Sequence, residues 1–139
     1  MRRPFFQNLE TLGCNETLPL HEVIEQLAFN EQGLISVIAQ DAETKEVLML
    51  AWMNQTALQQ TLDTRRMTYW SRSRNEIWVK GATSGNYQTL EAMYFDCDGD
   101  AVLCLVKQQG AACHTERKNC FYIEAQKLTN CAVVTTASP

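Results

Sequence analysis

The sequence predicts an α+β protein dominated by a mostly antiparallel β-sheet, with two or so short helices. Runs rich in β-branched and aromatic residues recur between turn-forming residues, whereas apolar helical stripes occupy only two short segments. No internal repeat, low-complexity stretch or linker divides the 139 residues, a length typical of one domain. We therefore predict a single domain over 18–125, an irregular arm at 1–17 and a C-terminal tail at 126–139.

The two predicted helices lie in the first half of the chain. Pro19 precedes apolar residues at i, i+3, i+4 and i+7, which predicts a helix over about 20–27 that ends before Gly33. Asn54 is a favourable N-cap, because its side chain can accept a hydrogen bond from a free backbone N–H of the first turn. The leucines that follow it four residues apart predict a second helix over about 55–63.

Seven short segments predict the strands of the sheet. Turn-forming residues bound them, and Asp41-Ala42-Glu43-Thr44 predicts a hairpin between the first two. A polar, glycine-bounded loop at 81–86 separates the fourth strand from the fifth, and 110–120 is expected to be a loop. The expected strands cover 34–40, 45–52, 67–72, 76–80, 87–95, 101–107 and 121–124.

Composition and charge exclude several classes of function. The formal net charge of -4 argues against a general nucleic-acid-binding protein, which would carry a basic surface. No apolar run approaches the roughly 20 residues of a membrane helix. The basic N-terminus is not followed by the apolar region of a signal peptide, so we expect a cytoplasmic protein whose six cysteines are reduced.

An acidic cluster, Asp96-Cys97-Asp98-Gly99-Asp100, lies between two predicted strands. In an extended strand Asp96 and Asp98 would share one face and Cys97 would point to the other. The carboxylates could then share a hard cation, and magnesium suits a few carboxylates with retained waters. The same pattern is typical of a solvated Asp-Gly turn. A phosphatase-type Asp-x-Asp pair would require a larger α/β framework than this β-rich chain supplies.

Three cysteines near this cluster, Cys97, Cys113 and Cys120, are candidate zinc ligands. Three protein ligands with an open fourth position are typical of catalytic zinc. The spacing, with 15 and 6 intervening residues, is not the paired spacing of structural zinc sites, so reduced or buried cysteines remain an alternative. His114 is a candidate proton shuttle because imidazole titrates near neutral pH. Cys104 lies in an apolar run and is expected in the core.

A basic segment interrupts this acidic protein. It consists of Ser71, Arg72, Ser73, Arg74 and, further on, Lys80. If the strand extended through them, the two arginines would share a face suited to phosphate oxygens, with the serines as additional donors. An ordinary charged hairpin end is the alternative. The tryptophans on the same two strands are expected to be core residues.

Several of these segments occur in one order along the chain. They are Leu48-Met49-Leu50-Ala51-Trp52-Met53-Asn54, Tyr69-Trp70-Ser71-Arg72-Ser73-Arg74, Trp78-Val79-Lys80-Gly81, Ser84-Gly85-Asn86, Asp96-Cys97-Asp98-Gly99-Asp100 and Ala112-Cys113-His114-Thr115. Together with Asn119-Cys120-Phe121, they closely resemble the phosphoribosyl-AMP cyclohydrolases of histidine biosynthesis. The resemblance covers roughly residues 33–123, and collinear motifs are far more specific than any one of them.

The resemblance implies an intertwined homodimer in which each zinc takes ligands from both subunits. It implies zinc at Cys97, Cys113 and Cys120, and magnesium at Asp96, Asp98 and Asp100. No other partner is expected apart from a small-molecule nucleotide substrate. The implied reaction is attack of a zinc-bound hydroxide on C6 of phosphoribosyl-AMP, which opens the N1–C6 bond of the adenine ring. A non-catalytic zinc-binding module is the competing interpretation.

The resemblance also assigns roles to the remaining polar residues. His114 would move protons, and the substrate would be held by Ser71, Arg72, Ser73, Arg74, Lys80 and Thr115. Two positions depart from the family pattern. Glu116 replaces a small or polar residue and adds negative charge near a phosphate-binding site, and Asn119 replaces a serine.

Overall fold

The computed structural model describes residues 3–139, which form three helices and eight strands. The helices are α1 (Pro4–Leu9), α2 (Leu20–Glu25) and α3 (Gln55–Thr64). The strands are β1 (Ile35–Asp41), β2 (Val47–Met53), β3 (Thr68–Ser71), β4 (Glu76–Val79), β5 (Gln88–Phe95), β6 (Ala101–Gln108), β7 (Ile123–Gln126) and β8 (Cys131–Val134).

A four-stranded sheet in the order β2-β1-β6-β5 forms the centre of the fold. β1 pairs with β2, and β5 with β6, in antiparallel orientation, whereas the central β1–β6 pair is parallel. The β3–β4 and β7–β8 pairs are separate antiparallel hairpins. The predicted α+β class with mostly antiparallel strands is therefore confirmed.

The core lies on one face of the central sheet. Alternate residues of β1 and β6, such as Val37, Ala39 and Val102, are fully or almost fully buried, as the two-residue period of a strand requires. Cys104 is also buried, which confirms the expectation from its apolar run, and burial raises the pKa of its thiol to about 12. Tyr69 of β3 is fully buried, and its hydroxyl donates to Gln88 Oε1 at 2.6 Å.

Helix α3 begins where the sequence predicts. The side chain of Asn54 accepts a hydrogen bond from the Ala57 backbone N–H at 2.8 Å, which caps the first turn. Arg65 adopts a left-handed conformation that ends the helix. Inside the last turns, Thr61 Oγ1 accepts from Thr68 N at 2.9 Å and so joins α3 to β3.

Both ends of the chain are more ordered than the sequence predicts. The arm expected to be irregular contains α1, whose Pro4 lies in its first turn and whose Phe6 is 4% exposed within the core. The segment predicted to be a C-terminal tail, 126–139, contains β8, which pairs with β7 through a turn at 127–130. Tertiary burial and hairpin pairing hold these short elements.

Helices of membrane-spanning length and apolarity are absent from the described range, residues 3–139.

Candidate active site and metal centres

A pair of thiols lies where the loop after β6 returns to β2. Cys113 is buried, and its sulfur accepts hydrogen bonds from Thr115 Oγ1 at 3.0 Å and Thr115 N at 3.5 Å. Cys120 is anchored by its backbone N–H, which donates to Leu48 O at 2.8 Å. The two thiols are close enough for each to influence the pKa of the other.

The two thiols differ in acidity. Burial alone would raise the pKa of Cys113, but hydrogen bonds from Thr115 and Cys120 outweigh burial and hold that pKa below its ordinary value. Burial first, and the neighbouring Cys113 second, raise the pKa of Cys120 to about 11. Cys113 is therefore the more acidic thiol of the pair, and the thiolate is the form in which cysteine binds metals.

A cleft of about 400 Å3 opens beside Cys113, and we call it the histidine cleft. His114 lies in its wall, as does Trp78, whose ring is 5.6 Å from that of Tyr69 between centroids. The cleft is lined by Arg74, Trp78, Lys80, Gly81, Thr83, Ser84, Asn86, Cys113, His114 and Glu116. A candidate proton carrier, basic side chains and the Cys113 thiol thus meet in one concave site.

Lys80 is buried in the wall of the histidine cleft. Its ammonium donates to Ala112 O at 2.6 Å and lies 5.4 Å from the ring centroid of Trp78. Burial lowers the pKa of Lys80, while the thiols of Cys120 and Cys113 oppose that shift. Its ammonium therefore ties the loop that carries Cys113 to β4 and places positive charge beside the sulfurs.

The two departures from the family pattern are both accommodated by the local structure. Glu116 lines the histidine cleft in a left-handed conformation with φ of 68°, which is the backbone region that favours glycine. Asn119 donates from its side chain to Glu46, which also pairs with Lys118 at 2.9 Å. The side-chain amide of Asn119 accepts from Phe121 N at 2.7 Å, so it organises the chain on either side of Cys120.

The acidic cluster forms the turn between β5 and β6. Asp96 Oδ1 accepts from the backbone N–H groups of Asp100 at 2.9 Å and Asp98 at 3.2 Å. The expected extended alternation at 96–98 is therefore wrong, because these local bonds and the left-handed Gly99 fold the segment into a turn.

Two carboxylates of this turn interact directly. Partial burial alone would raise the pKa of Asp96, but hydrogen bonds from Asp100 and Asp98 outweigh it and lower that pKa. The hydrogen bond with Asp96 raises the pKa of Asp100. Carboxylates this close repel one another when ionised, so a bound cation would favour the ionised pair.

Helix α1 packs against the acidic turn and supports it. The ring of Phe6 occupies the space where a side chain on Gly99 would lie, since a Cβ there would be 2.2 Å from Phe6 Cε2. On the other side, Gly99 O accepts from Ala28 N at 2.8 Å, just after α2. No sequence pattern links Phe6 to the acidic turn, because its partner Gly99 is 93 positions away. Only the glycine itself indicates a close approach of another group.

Cys97 lies apart from the other two candidate zinc ligands. It is exposed and lines an apolar groove with Phe6, Leu18, Leu20 and Phe95, outside the histidine cleft. Within residues 3–139 no three histidine, cysteine or acidic side chains gather as a metal site. A single subunit therefore brings together two of the three candidate thiols.

The basic segment also differs from its prediction. β3 ends at Ser71, so Arg72 and Arg74 lie in a turn instead of sharing a strand face. Arg74 lines the histidine cleft and pairs with Glu76 at 3.6 Å, whereas Arg72 lies over the ring of Trp52. Ser71 Oγ accepts from Arg74 N at 3.2 Å and lies 3.4 Å from Ser73 Oγ.

The donor chemistry of each region fits the metal that the sequence resemblance implies. The Cys113–Cys120 pair offers soft sulfur ligands, one with a lowered pKa, which suit zinc. The Asp96–Asp100 pair offers hard oxygen ligands, which suit magnesium. Each pair requires further ligands to complete a coordination shell.

The sequence comparisons point to one family. The model of the phosphoribosyl-AMP cyclohydrolase family matches residues 49–122. A protein named phosphoribosyl-AMP cyclohydrolase from Magnetococcus marinus is 62% identical over 100 residues, which are 72% of this chain and 78% of that protein. One of the same name from Hydrogenovibrio crunogenus is 50% identical over 130 residues, covering 90% of this chain and 88% of the relative.

Proposed function

The chain belongs to the phosphoribosyl-AMP cyclohydrolase family and is a cyclic amidine hydrolase of histidine biosynthesis, and we propose how its residues carry out the reaction. The substrate is an adenine that carries phosphorylated ribosyl groups on N1 and N9. Because alkylation of N1 withdraws electrons from the ring, C6 is a good electrophile. Water adds to C6, the N1–C6 bond breaks, and a formimino carboxamide results.

The thiol pair is the observation that carries this proposal. Cys113 and Cys120 would hold zinc together with Cys97 of a second subunit. Zinc, when bound, would supply the Lewis acidity that lowers the pKa of the attacking water toward about 7. Lys80 holds the loop of Cys113 through the Ala112 carbonyl, and Thr115 fixes the Cys113 sulfur. These contacts keep the pair in place while substrate enters the histidine cleft.

His114 is proposed to move the protons of the reaction. It lines the same cleft as Cys113, close to where C6 must lie. One proton leaves the attacking water and one must reach N1 as the N1–C6 bond breaks. An imidazole can do both near neutral pH.

Residues around the histidine cleft are proposed to hold the substrate. Arg74 and Lys80 supply positive charge there, and Arg72 supplies it on the other side of the β3–β4 turn. Ser71, Ser73 and Thr115 are the proposed hydroxyl donors to phosphate and ribose. Magnesium would be held by Asp96, Asp98 and Asp100, and would anchor phosphate or order the turn.

A homodimer is proposed because Cys97 of the same chain lies outside the histidine cleft, and a partner must bring it to the thiol pair. Cytoplasmic localisation stays a prediction from the N-terminal sequence. The backbone at Glu116 is left-handed, a conformation that favours glycine, and its carboxylate would add negative charge to the histidine cleft.

The test is the absorbance change when purified protein is incubated with phosphoribosyl-AMP. We expect turnover that a zinc chelator abolishes and added zinc restores, while circular dichroism shows that most of the fold persists. A structural zinc would instead melt the fold on removal, because its binding energy is folding energy. Unchanged turnover in metal-free protein would contradict the proposed role of zinc.

A further inference from the structure

We propose that a second cleft, on the far side of the β3–β4 turn, binds a phosphorylated ribose, and we call it the tryptophan cleft. Its volume is about 300 Å3, and it is lined by Asn30, Gln32, Leu34, Trp52, Trp70, Arg72 and Asn75. The inference rests on the proposed function, in which the substrate carries two phosphorylated ribosyl arms. It assigns one of those arms to a subsite outside the histidine cleft.

The guanidinium of Arg72 is held in place without being neutralised. Its Cζ lies 5.0 Å from the ring centroid of Trp52, a stacking geometry that fixes the planar group. Across the described residues, 3–139, Arg72 has neither a carboxylate partner nor a hydrogen bond. Stacking leaves the N–H edges in the guanidinium plane free, and those edges recognise phosphate oxygens in pairs.

Arg74, two residues away, differs from Arg72 because neighbouring side chains partly compensate its charge. It pairs with Glu76 at 3.6 Å, and its Nε lies 3.5 Å from Ser71 Oγ. The Glu76 carboxylate and the Ser71 hydroxyl therefore compensate part of the Arg74 charge. The charge of Arg72 has no such compensation, and none of the residues that line the tryptophan cleft is acidic.

The remaining lining residues suit a sugar. Asn30 Oδ1 accepts from the backbone N–H groups of Gln32 and Leu34, each at 2.9 Å, which fixes its amide group. The side-chain amides of Gln32 and Asn75 have no hydrogen bond within residues 3–139. Amide groups beside an arginine can bond ribose hydroxyls while the guanidinium holds phosphate. The indole rings of Trp52 and Trp70 supply the apolar walls typical of ligand pockets.

The position of the cleft matches the shape of the substrate. Arg72 and Asn75 line the tryptophan cleft, while Arg74 from the same turn lines the histidine cleft. The turn is thus a ridge with one arginine on each side. A nucleotide with two phosphorylated ribosyl arms can span the ridge, with its reacting ring at His114 and one arm over Arg72.

The three tryptophans of the chain report on the two clefts separately. Trp52 and Trp70 line one cleft and Trp78 lines the other. Titration with ribose 5-phosphate, followed by the indole N–H signals in nitrogen-15 correlation spectra, should shift the signals of Trp52 and Trp70. Single Trp→Phe variants assign the signals.

Arg72→Gln should weaken that titration by about tenfold or more, because a charge-assisted hydrogen bond to phosphate is lost. In the turnover assay, KM for phosphoribosyl-AMP should rise while kcat changes little, since binding but not the reacting atoms is affected. Arg66→Gln is the matched control. Arg66 stacks on Tyr87 at 4.0 Å but lines neither cleft, so its removal should leave both measurements unchanged.

Equal affinity of wild type and Arg72→Gln for ribose 5-phosphate at the Trp52 and Trp70 signals would overturn the proposal. A change in subunit association without a change in that affinity would also overturn it, because the cleft would then be an interface. Failure of the proposed function is distinguishable, since the titration requires no turnover. A protein that binds ribose 5-phosphate through Arg72 but does not open phosphoribosyl-AMP would retain the subsite and lose the proposed reaction.

Discussion

The thiol pair and the acidic turn hold their donor groups in opposite ways. Cys113, which is buried, and Cys120, which is exposed, come from one loop. Thr115 lowers the pKa of Cys113, and the charge of Lys80 acts to lower that of Cys120. The acidic turn is held by the core beneath it, through Phe6, while its Cys97 is exposed to solvent. The thiol pair provides two of the three candidate sulfur ligands, and the acidic turn provides the third, Cys97.

This difference supports the proposal that two subunits share each site. A donor set completed within one subunit would place all three sulfurs together, as isolated zinc sites do. Here Cys97 is exposed outside the histidine cleft, and Cys113 of the thiol pair lines that cleft. Each subunit thus offers complementary halves, which is the arrangement that a symmetric dimer can use twice.

The largest effect should come from breaking the thiol pair. Cys113→Ala should abolish stoichiometric zinc binding and reduce turnover to background, because it removes one of only three proposed protein ligands. Metal content by plasma mass spectrometry and the absorbance assay measure the two outcomes. Cys131→Ser is the control, since that thiol is exposed on β8 and belongs to neither region. Full turnover by a zinc-free Cys113→Ala protein would refute the assignment.

His114→Ala should separate chemistry from metal binding in the thiol region. We expect kcat to fall by about 100- to 10,000-fold, the usual contribution of general acid–base catalysis, with zinc content unchanged. His21→Ala is the matched control because the only other histidine is exposed on α2. A His114→Ala protein with wild-type kcat would remove the proposed proton carrier.

Phe6→Ala should test the support under the acidic turn. Removing this ring leaves a cavity beneath Gly99, and we expect the free energy of unfolding to fall by about 3 kcal/mol. Urea denaturation measures the change, and Leu12→Ala, at a position 41% exposed, should change it by less than about 0.5 kcal/mol. Equal stability of Phe6→Ala and wild type would mean that α1 does not brace the turn.

Thr115→Val should have the smallest effect in zinc-free, substrate-free protein, where it should change the acidity of one thiol. The Thr115 hydroxyl stabilises the Cys113 thiolate, so its loss should raise the pKa of Cys113. In zinc-free protein, the rate of iodoacetamide labelling of Cys113 should then rise to its plateau at higher pH than in wild type. Mass spectrometry follows Cys113 and, as an internal control, Cys131. A shift toward lower pH would contradict the assigned hydrogen bond.

Local sequence signals predicted the elements that rest on local interactions. The Asn54 cap, the β1–β2 hairpin and the burial of Cys104 follow from neighbours within a few residues. The parallel β1–β6 pairing and helix α1 depend on contacts across the chain. A six-residue helix has little stability of its own, so its pattern could not reveal it.

In the candidate site, too, local sequence signals predicted some features, whereas others depend on contacts that form only in the fold. Residue types and their order predicted candidate metal donors, but not the hydrogen bonds around them. Lys80 is predicted to bind substrate as part of the basic segment, but no sequence pattern indicates that its ammonium also donates to Ala112 O at 2.6 Å. The alternation expected at Asp96 and Cys97 failed because side-chain-to-backbone bonds replaced the strand.

Mixed dimers test the shared site most directly. Differently tagged Cys97→Ala and Cys113→Ala chains are co-expressed, and the heterodimer is purified through both tags. If Cys97 of one subunit completes the thiol pair of the other, one of the two sites in the heterodimer is intact, and we predict about half of wild-type turnover. Mixed Cys113→Ala and Cys120→Ala chains are the control and should remain inactive, because both ligands come from the same subunit. An inactive Cys97→Ala and Cys113→Ala heterodimer that is stably assembled would contradict the account.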